Sequence, residues 1–136
     1  MNERAVELVR QMGLNPGAKE NEIRKLEAAL RVELPHQYVE FMSYTNGVEG
    51  FIDPDRYLVV WPIEEVEIMN KELAVDEFTP GLIFFGSDGG GEGYAFDARN
   101  DEMHIVEIPL VGMSLDEATI CGKTFYEFLI RCQQDQ

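Results

Sequence analysis

Hydrophobic side chains change their spacing along the chain, from helical in the first third to extended in the middle. Over the first 46 residues they recur three or four positions apart, which is typical of amphipathic helices. Three helices are predicted there. The first is capped by Asn2, the second runs from about Lys19 to Arg31, and the third has Pro35 in its first turn and ends at Asn46-Gly47.

The middle of the chain contains an uninterrupted apolar run, from Leu82 to Phe85, between two glycines. A run without helical spacing is typical of a strand that is covered on both faces, so this segment is predicted to lie centrally in a sheet. Extended patterns resume at residues 94–96 and 103–108. The sequence therefore predicts a three-stranded antiparallel meander whose first turn is the glycine-rich segment 87–93.

The remaining elements complete one α+β domain. Strands are predicted at residues 51–52 and 57–61, a helix at 63–73, extended pairing near 118–121 and a closing helix at 123–132. The expected architecture is a mainly antiparallel sheet with a central glycine-rich meander, flanked by about five helices. Residues 1–18 are expected to form a helix and turn of the same domain, and residues 133–136 a tail.

Charge is distributed unevenly along the 136 residues, which carry 26 acidic and 11 basic side chains and a net charge of −15. Residues 49–117 alone contain 17 acidic and 3 basic side chains, a net of −14. Such a surface repels phosphate, which disfavours direct binding of nucleic acid or anionic membranes, and it accelerates capture of a basic protein. A role in solubility alone is the other interpretation.

The sequence favours a cytoplasmic protein. No apolar run reaches the roughly 18 residues that a membrane-spanning helix needs, and the first residues lack the apolar core of a signal peptide. The two cysteines, Cys121 and Cys132, are interpreted as reduced thiols rather than as a disulfide framework.

The glycine-rich segment does not have the chemistry of a phosphate or calcium site. It contains Asp88 and Glu92 but no basic residue, and extended residues rather than a helix follow it. Its acidic residues also lack the spacing of a helix-loop-helix calcium site. Its glycines are instead predicted to serve backbone geometry, with positive φ in at least one of them. These structural turn residues are Gly86, Gly89, Gly91 and Gly93.

No catalytic or metal site emerges from the sequence, and no cofactor is expected. The two histidines, His36 and His104, stand in no recognisable relation to Cys121, which is interpreted as a buried structural thiol. Among 26 carboxylates a glycosidase pair is conceivable, but sequence alone selects none. The protein is therefore predicted not to be an enzyme.

Several segments together resemble the SUKH superfamily, which includes the yeast cell-wall synthesis regulator and many bacterial toxin-immunity proteins. The most characteristic is the pattern Leu34-Pro35-x-x-Tyr38-x-x-Phe41, followed by Asn46-Gly47. Later segments also resemble the family, and the resemblance covers residues 19–132 in order. These segments are residues 57–65, 85–97 and 124–129.

The resemblance implies an α+β binding protein without catalytic residues. Bacterial members commonly neutralise a toxin, often a nuclease, so the expected partner is a basic toxin domain. The alternative is a regulatory protein-interaction module, related to the cell-wall synthesis regulator, with no toxin involved. Partner binding is predicted at carboxylates that turns present to solvent in the acidic segment. These are Glu49, Asp53, Asp55, Asp88 and Glu92.

Overall fold

The computed structural model describes residues 2–134, which form six α-helices and one six-stranded sheet. In chain order the elements are α1 (Glu3–Arg10), α2 (Glu20–Leu30), α3 (His36–Tyr44), β1 (Val48–Asp53), β2 (Arg56–Val60), α4 (Ile63–Glu72), α5 (Val75–Phe78), β3 (Leu82–Ser87), β4 (Glu92–Asp97), β5 (Ile105–Pro109), a 3-10 turn (Leu115–Glu117), β6 (Thr119–Gly122) and α6 (Phe125–Gln134). The predicted single-domain α+β fold is confirmed. Within residues 2–134 no helix combines the length and hydrophobicity that crossing a bilayer requires.

The first three helices begin in different ways. The Asn2 side chain accepts hydrogen bonds from the backbone N–H groups of Arg4 and Ala5, at 2.9 and 3.1 Å, and so caps α1. α2 follows Lys19, whose side chain makes no capping hydrogen bond. α3 begins directly after Pro35. The helices predicted from the apolar spacing are therefore present, with ends that differ by one or two residues.

The sheet runs in chain order from β1 to β6, with every neighbouring pair antiparallel. β3 is its third strand, and its residues Leu82 to Phe85 are all at most 8% exposed. The predicted central strand and the β3–β4–β5 meander are both present. The whole apolar run is buried because α4 covers part of β3 and aromatic side chains cover the rest.

Aromatic side chains from α3, α6 and the sheet form the centre of the core. The Tyr38 ring lies 5.9 Å from Phe85, 5.1 Å from Phe96 and 5.4 Å from Phe125, measured between ring centroids. Tyr38 is 1% exposed, and its hydroxyl has no hydrogen-bond partner among the described residues. Burial raises the pKa of this phenol, which stays neutral. The tyrosine of the Leu34–Phe41 pattern is therefore part of the core.

The Asn46-Gly47 step joins α3 to the sheet and to α4. The Asn46 side chain accepts a hydrogen bond from the Ile63 N–H and donates one to Glu64, both at 2.8 Å, and so caps α4. Gly47 has a φ of 82°, and a Cβ there would lie 2.5 Å from the Val60 carbonyl oxygen. Both residues of the motif thus have structural roles.

A single asparagine of α4 takes the place of a missing strand beside β3. The pairing of β2 with β3 stops near Gly86, which leaves the backbone of Phe84 without a strand partner on that side. Asn70 supplies one: its side chain accepts from the Phe84 N–H at 2.8 Å and donates to the Phe84 carbonyl at 2.9 Å. This pair of bonds attaches α4 to the most buried strand.

Two details add to the sequence-based expectation. The described residues form six helices, in line with the about five expected, and α5 is a single turn of four residues that is too short to give a periodic signal. α6 continues through Gln134, two residues beyond the end of the helix predicted at 123–132. The last two residues, Asp135 and Gln136, lie outside the described part of the chain.

Candidate protein-interaction surface

The β1–β2 hairpin presents one face to the core and one to solvent. Alternation along β1 buries Val48 and Ile52, at 2% and 1% exposed, and turns Glu49 and Phe51 outward. On β2, Tyr57 pairs with Phe51 across the hairpin. The outward face therefore combines a carboxylate with two aromatic rings.

The two aromatic rings lie edge to face on this outward side. Their centroids are 5.0 Å apart with an interplanar angle of 80°, and Phe51 is 61% exposed. The Tyr57 hydroxyl donates a hydrogen bond to Glu49 Oε2 at 2.7 Å, and this bond raises the pKa of the phenol. An exposed phenylalanine and a half-buried tyrosine are thus fixed in place beside a carboxylate.

The glycine-rich turn lies against the same aromatic pair. The Asp88 side chain accepts hydrogen bonds from the backbone N–H groups of Gly90 and Glu92, at 2.8 and 3.1 Å, which orders the turn. Gly89 has a φ of 81°, and a Cβ there would lie 2.5 Å from the Tyr57 ring. We call this surface the acid–aromatic face, and its residues are Glu49, Phe51, Tyr57, Asp88 and Gly89.

The four glycines predicted as turn residues differ in role: one serves the turn, two permit close packing in strands, and one has no role that its surroundings show. Gly89 lies in the turn, whereas Gly86 and Gly93 lie in the strands β3 and β4 and do not have positive φ. There the missing side chain permits close packing: a Cβ on Gly86 would lie 2.1 Å from the Val59 carbonyl oxygen, and one on Gly93 2.7 Å from the Phe84 ring. Gly91 does not have a positive φ, and a Cβ there would meet no heavy atom within 4 Å, so nothing in its surroundings requires glycine.

The structure brings four of the five predicted partner-binding carboxylates to one region. Glu49 and Asp88 belong to the acid–aromatic face, and Asp53 and Asp55 lie at the tip of the adjoining hairpin. The Asp53 carboxylate accepts a hydrogen bond from the Asp55 N–H at 2.9 Å. The region thus collects one carboxylate from strand β1 and others from two turns that lie far apart in the sequence.

Glu92 lies on the opposite side of the sheet from Glu49, although it is still close enough to Asp88 for that carboxylate to affect its pKa. Alternation along β4 places it on the same side of the sheet as Tyr94, which packs against α6. Burial, the Glu107 and Asp88 carboxylates and a hydrogen bond to Glu107 raise the pKa of Glu92. Glu92 and Glu107 are diagonal neighbours on β4 and β5. The fifth carboxylate therefore belongs to an acidic pair on the opposite side of the sheet.

The Glu92→Gln variant is expected to be more stable than the parent at pH 7, by up to about 1 kcal/mol, because it removes a cross-strand repulsion. Because the pKa of Glu92 is raised in the folded state, its stabilising contribution is fully present below the ordinary carboxyl pKa, where the group is protonated. That contribution is lost as pH rises through the folded-state pKa and Glu92 becomes charged. The gain should therefore vanish near the ordinary carboxyl pKa, at about pH 4. Melting temperatures at both pH values measure it, with the exposed Glu72→Gln change as control. An equal gain at both pH values would contradict this explanation.

Few cations lie close to the acid–aromatic face. Among the ion pairs of the described residues, none includes Glu49, Asp55 or Asp88. Arg56, the basic residue of the hairpin, donates a hydrogen bond to the carbonyl oxygen of Cys132 in α6, at 3.5 Å. The negative charges of Glu49, Asp55 and Asp88 are therefore not matched by an ion pair among the described residues.

The aromatic pair is the part of this surface that the sequence does not reveal. Phe51 and Tyr57 are each predicted to lie on a strand, and neither is predicted to bind a partner. A signal is available, because the pairing of two strands joined by the short turn at 53–55 puts Phe51 opposite Tyr57. Whether that pair is exposed depends on which face of the hairpin the helices cover, and this is decided by tertiary packing.

The described residues offer little chemistry for catalysis or metal binding. No three of their His, Cys, Asp and Glu side chains come together as a metal site would require. Burial raises the pKa of the Cys121 thiol, which is the opposite of an activated nucleophile. His104 Nε2 lies 2.7 Å from the Glu102 carboxylate.

Comparison with known proteins places the chain in a family. A search of curated proteins gives no match. A scan of protein families matches residues 17–131 to the SMI1 / KNR4 family (SUKH-1), close to the 19–132 expected from the sequence motifs. The match spans most of the chain and includes the Leu34–Phe41 pattern, the hairpin and the glycine-rich turn. The protein is therefore a member of the SMI1 / KNR4 family (SUKH-1).

Proposed function

We propose that this protein is a non-catalytic immunity protein, which binds a cognate toxin directly and blocks it. The observation that carries the proposal is the acid–aromatic face, where the Phe51–Tyr57 pair, with Phe51 61% exposed, lies beside the Glu49 carboxylate and next to the turn of Asp88. Family membership supports a protein partner, because the resemblance that the sequence shows is to proteins that act by binding others.

The charge of the face indicates what kind of toxin it would bind. A nuclease needs a basic surface to hold the phosphate backbone of its substrate. Carboxylates at Glu49, Asp53, Asp55 and Asp88 complement such a surface and accelerate encounter with it. The aromatic rings add apolar contact area of the kind that anchors protein interfaces. We therefore propose a basic toxin domain as partner, with encounter in the cytoplasm and without a cofactor.

Co-expression tests the proposal. The product of a neighbouring toxin-like gene would be produced in cells alone, with this protein, and with a variant whose face is neutralised by Glu49→Gln, Asp53→Asn, Asp55→Asn and Asp88→Asn. We expect growth arrest with the toxin alone, rescue by the parent protein and weaker rescue by the variant. Equal rescue by the variant would reject the face as the binding site. A bound partner that is harmless when produced alone would reject the immunity role and favour the regulatory module.

A further inference from the structure

We propose that the acid–aromatic face holds an arginine side chain of the partner protein, with its guanidinium group against the rings of Phe51 and Tyr57 and hydrogen-bonded to Glu49. This inference rests on the proposed function, since it specifies the chemistry that the partner brings to that same surface. It commits to one occupant, a guanidinium group.

The aromatic pair supplies the first half of this site. A planar guanidinium stacks on aromatic rings and is weakly hydrated, so contact with an exposed ring is favourable. Other exposed apolar side chains of the described residues lack this arrangement. Phe78, for example, is 52% exposed on α5, but no other aromatic ring of the described residues packs against it. The Phe51–Tyr57 pair is therefore distinguished by its chemistry as well as by its exposure.

The Glu49 carboxylate supplies the second half. The Tyr57 hydroxyl donates to Oε2 at 2.7 Å, which fixes the carboxylate beside the ring and leaves Oε1 able to accept from a ligand. Among the described residues no cation forms an ion pair with this carboxylate. A guanidinium at the rings could donate to Oε1 of this carboxylate.

Gly89 borders the Tyr57 ring without covering it with a side chain. A Cβ at this position would lie 2.5 and 3.2 Å from two atoms of the Tyr57 ring, so any side chain there would press on the ring. The turn can approach the ring so closely only because Gly89 has no side chain and tolerates a φ of 81°. The backbone therefore forms a low wall beside the rings instead of a side chain that covers them.

Arginine, lysine and citrulline peptides test the inference on the intact protein. Three acetylated, amidated peptides would be titrated into it: Gly-Arg-Gly-Arg-Gly-Arg-Gly, the same peptide with lysine, and the same with uncharged citrulline. We expect the arginine peptide to bind about 3-fold more tightly than the lysine peptide, and the citrulline peptide more weakly than both. Amide and ring NMR shifts should locate the arginine peptide at Phe51, Tyr57 and Gly89.

Matched variants separate the aromatic contribution from general negative charge. Phe51→Leu keeps the apolar volume but removes the ring, and we expect it to bring the arginine-to-lysine affinity ratio close to one. Phe78→Leu makes the same change at another exposed position and should leave the ratio unchanged. Equal affinities for the two cationic peptides in the parent, shifts confined to another surface, or a ratio that Phe51→Leu leaves intact would each overturn the inference.

The outcome is separable from that of the proposed function. Arginine preference at the face without any rescue from a toxin would leave the guanidinium site standing and reject the immunity role. Rescue without arginine preference would leave the immunity role standing and reject the guanidinium site.

Discussion

Replacing Gly86 with alanine is expected to lower the free energy of unfolding by about 2–4 kcal/mol, because it forces two central strands apart. A Cβ at this position would lie 2.1 Å from the Val59 carbonyl oxygen and 3.3 Å from the Val60 Cα. Both atoms are backbone of β2 and cannot rotate away. Gly86 pairs with Val60, so separation at this point also weakens the hydrogen bonds between β2 and β3.

Gly91→Ala is the matched control in the same glycine-rich stretch. A Cβ there meets no heavy atom within 4 Å, and φ lies outside the left-handed range. The free energy of unfolding of Gly91→Ala should differ from that of the parent by less than about 1 kcal/mol in either direction. Urea unfolding of the parent and the two variants measures the difference. Equal midpoints for Gly86→Ala and Gly91→Ala would show that strand packing does not require glycine at position 86.

Asn70→Ala is expected to have an effect of similar size, about 2–4 kcal/mol, through loss of hydrogen bonds to a buried strand. Phe84 is fully buried, and Asn70 bonds both its N–H and its carbonyl, at 2.8 and 2.9 Å. The same amide also donates to the Val66 carbonyl within α4, at 2.7 Å. Truncation leaves two buried backbone groups of the central strand without their partner.

Asn21→Ala provides the corresponding control. Asn21 is exposed on α2, and its side chain forms no hydrogen bond with any of the described residues. Both changes replace asparagine by alanine in a helix, so the gain in helix propensity is shared. Hydrogen exchange at the Phe84 amide gives a local readout and should accelerate in Asn70→Ala alone. Unchanged protection of that amide would contradict the proposed role of Asn70.

Most of the fold follows from hydrophobic spacing, for identifiable reasons. The run from Leu82 to Phe85 indicates a strand covered on both faces, and the structure has it third among six strands. Helix ends are also readable where side chains cap them, as Asn2 does for α1. By contrast, α5 has only four residues, which is too short for periodicity. The partnership of Asn70 with Phe84 is a long-range contact between a helix and a strand and leaves no local pattern.

The candidate site is predictable only in part. Charge and turn propensity point to five exposed carboxylates in the acidic segment, and four of them lie in one region, although Glu49 belongs to strand β1 and not to a turn. Glu92 is predicted with them because it is adjacent to the glycine turn, but strand alternation directs it to the other side of the sheet, toward Glu107. The aromatic pair escapes prediction, since exposure of Phe51 depends on which face of the hairpin the helices leave uncovered.

The central claim is that the position of the carboxylates, and not the total charge, captures the partner. Association rates against ionic strength test it most directly, for the parent, the four-site face variant and a control in which Glu65, Glu72, Asp76 and Glu77 of α4 and α5 are neutralised. Both variants remove four negative charges from the parent's net charge of −15, which leaves −11. We expect the face variant to associate about 10-fold more slowly at low salt, with a weaker salt dependence, and the control to remain close to the parent. Equal slowing of the two variants, or no slowing of either, would contradict the claim.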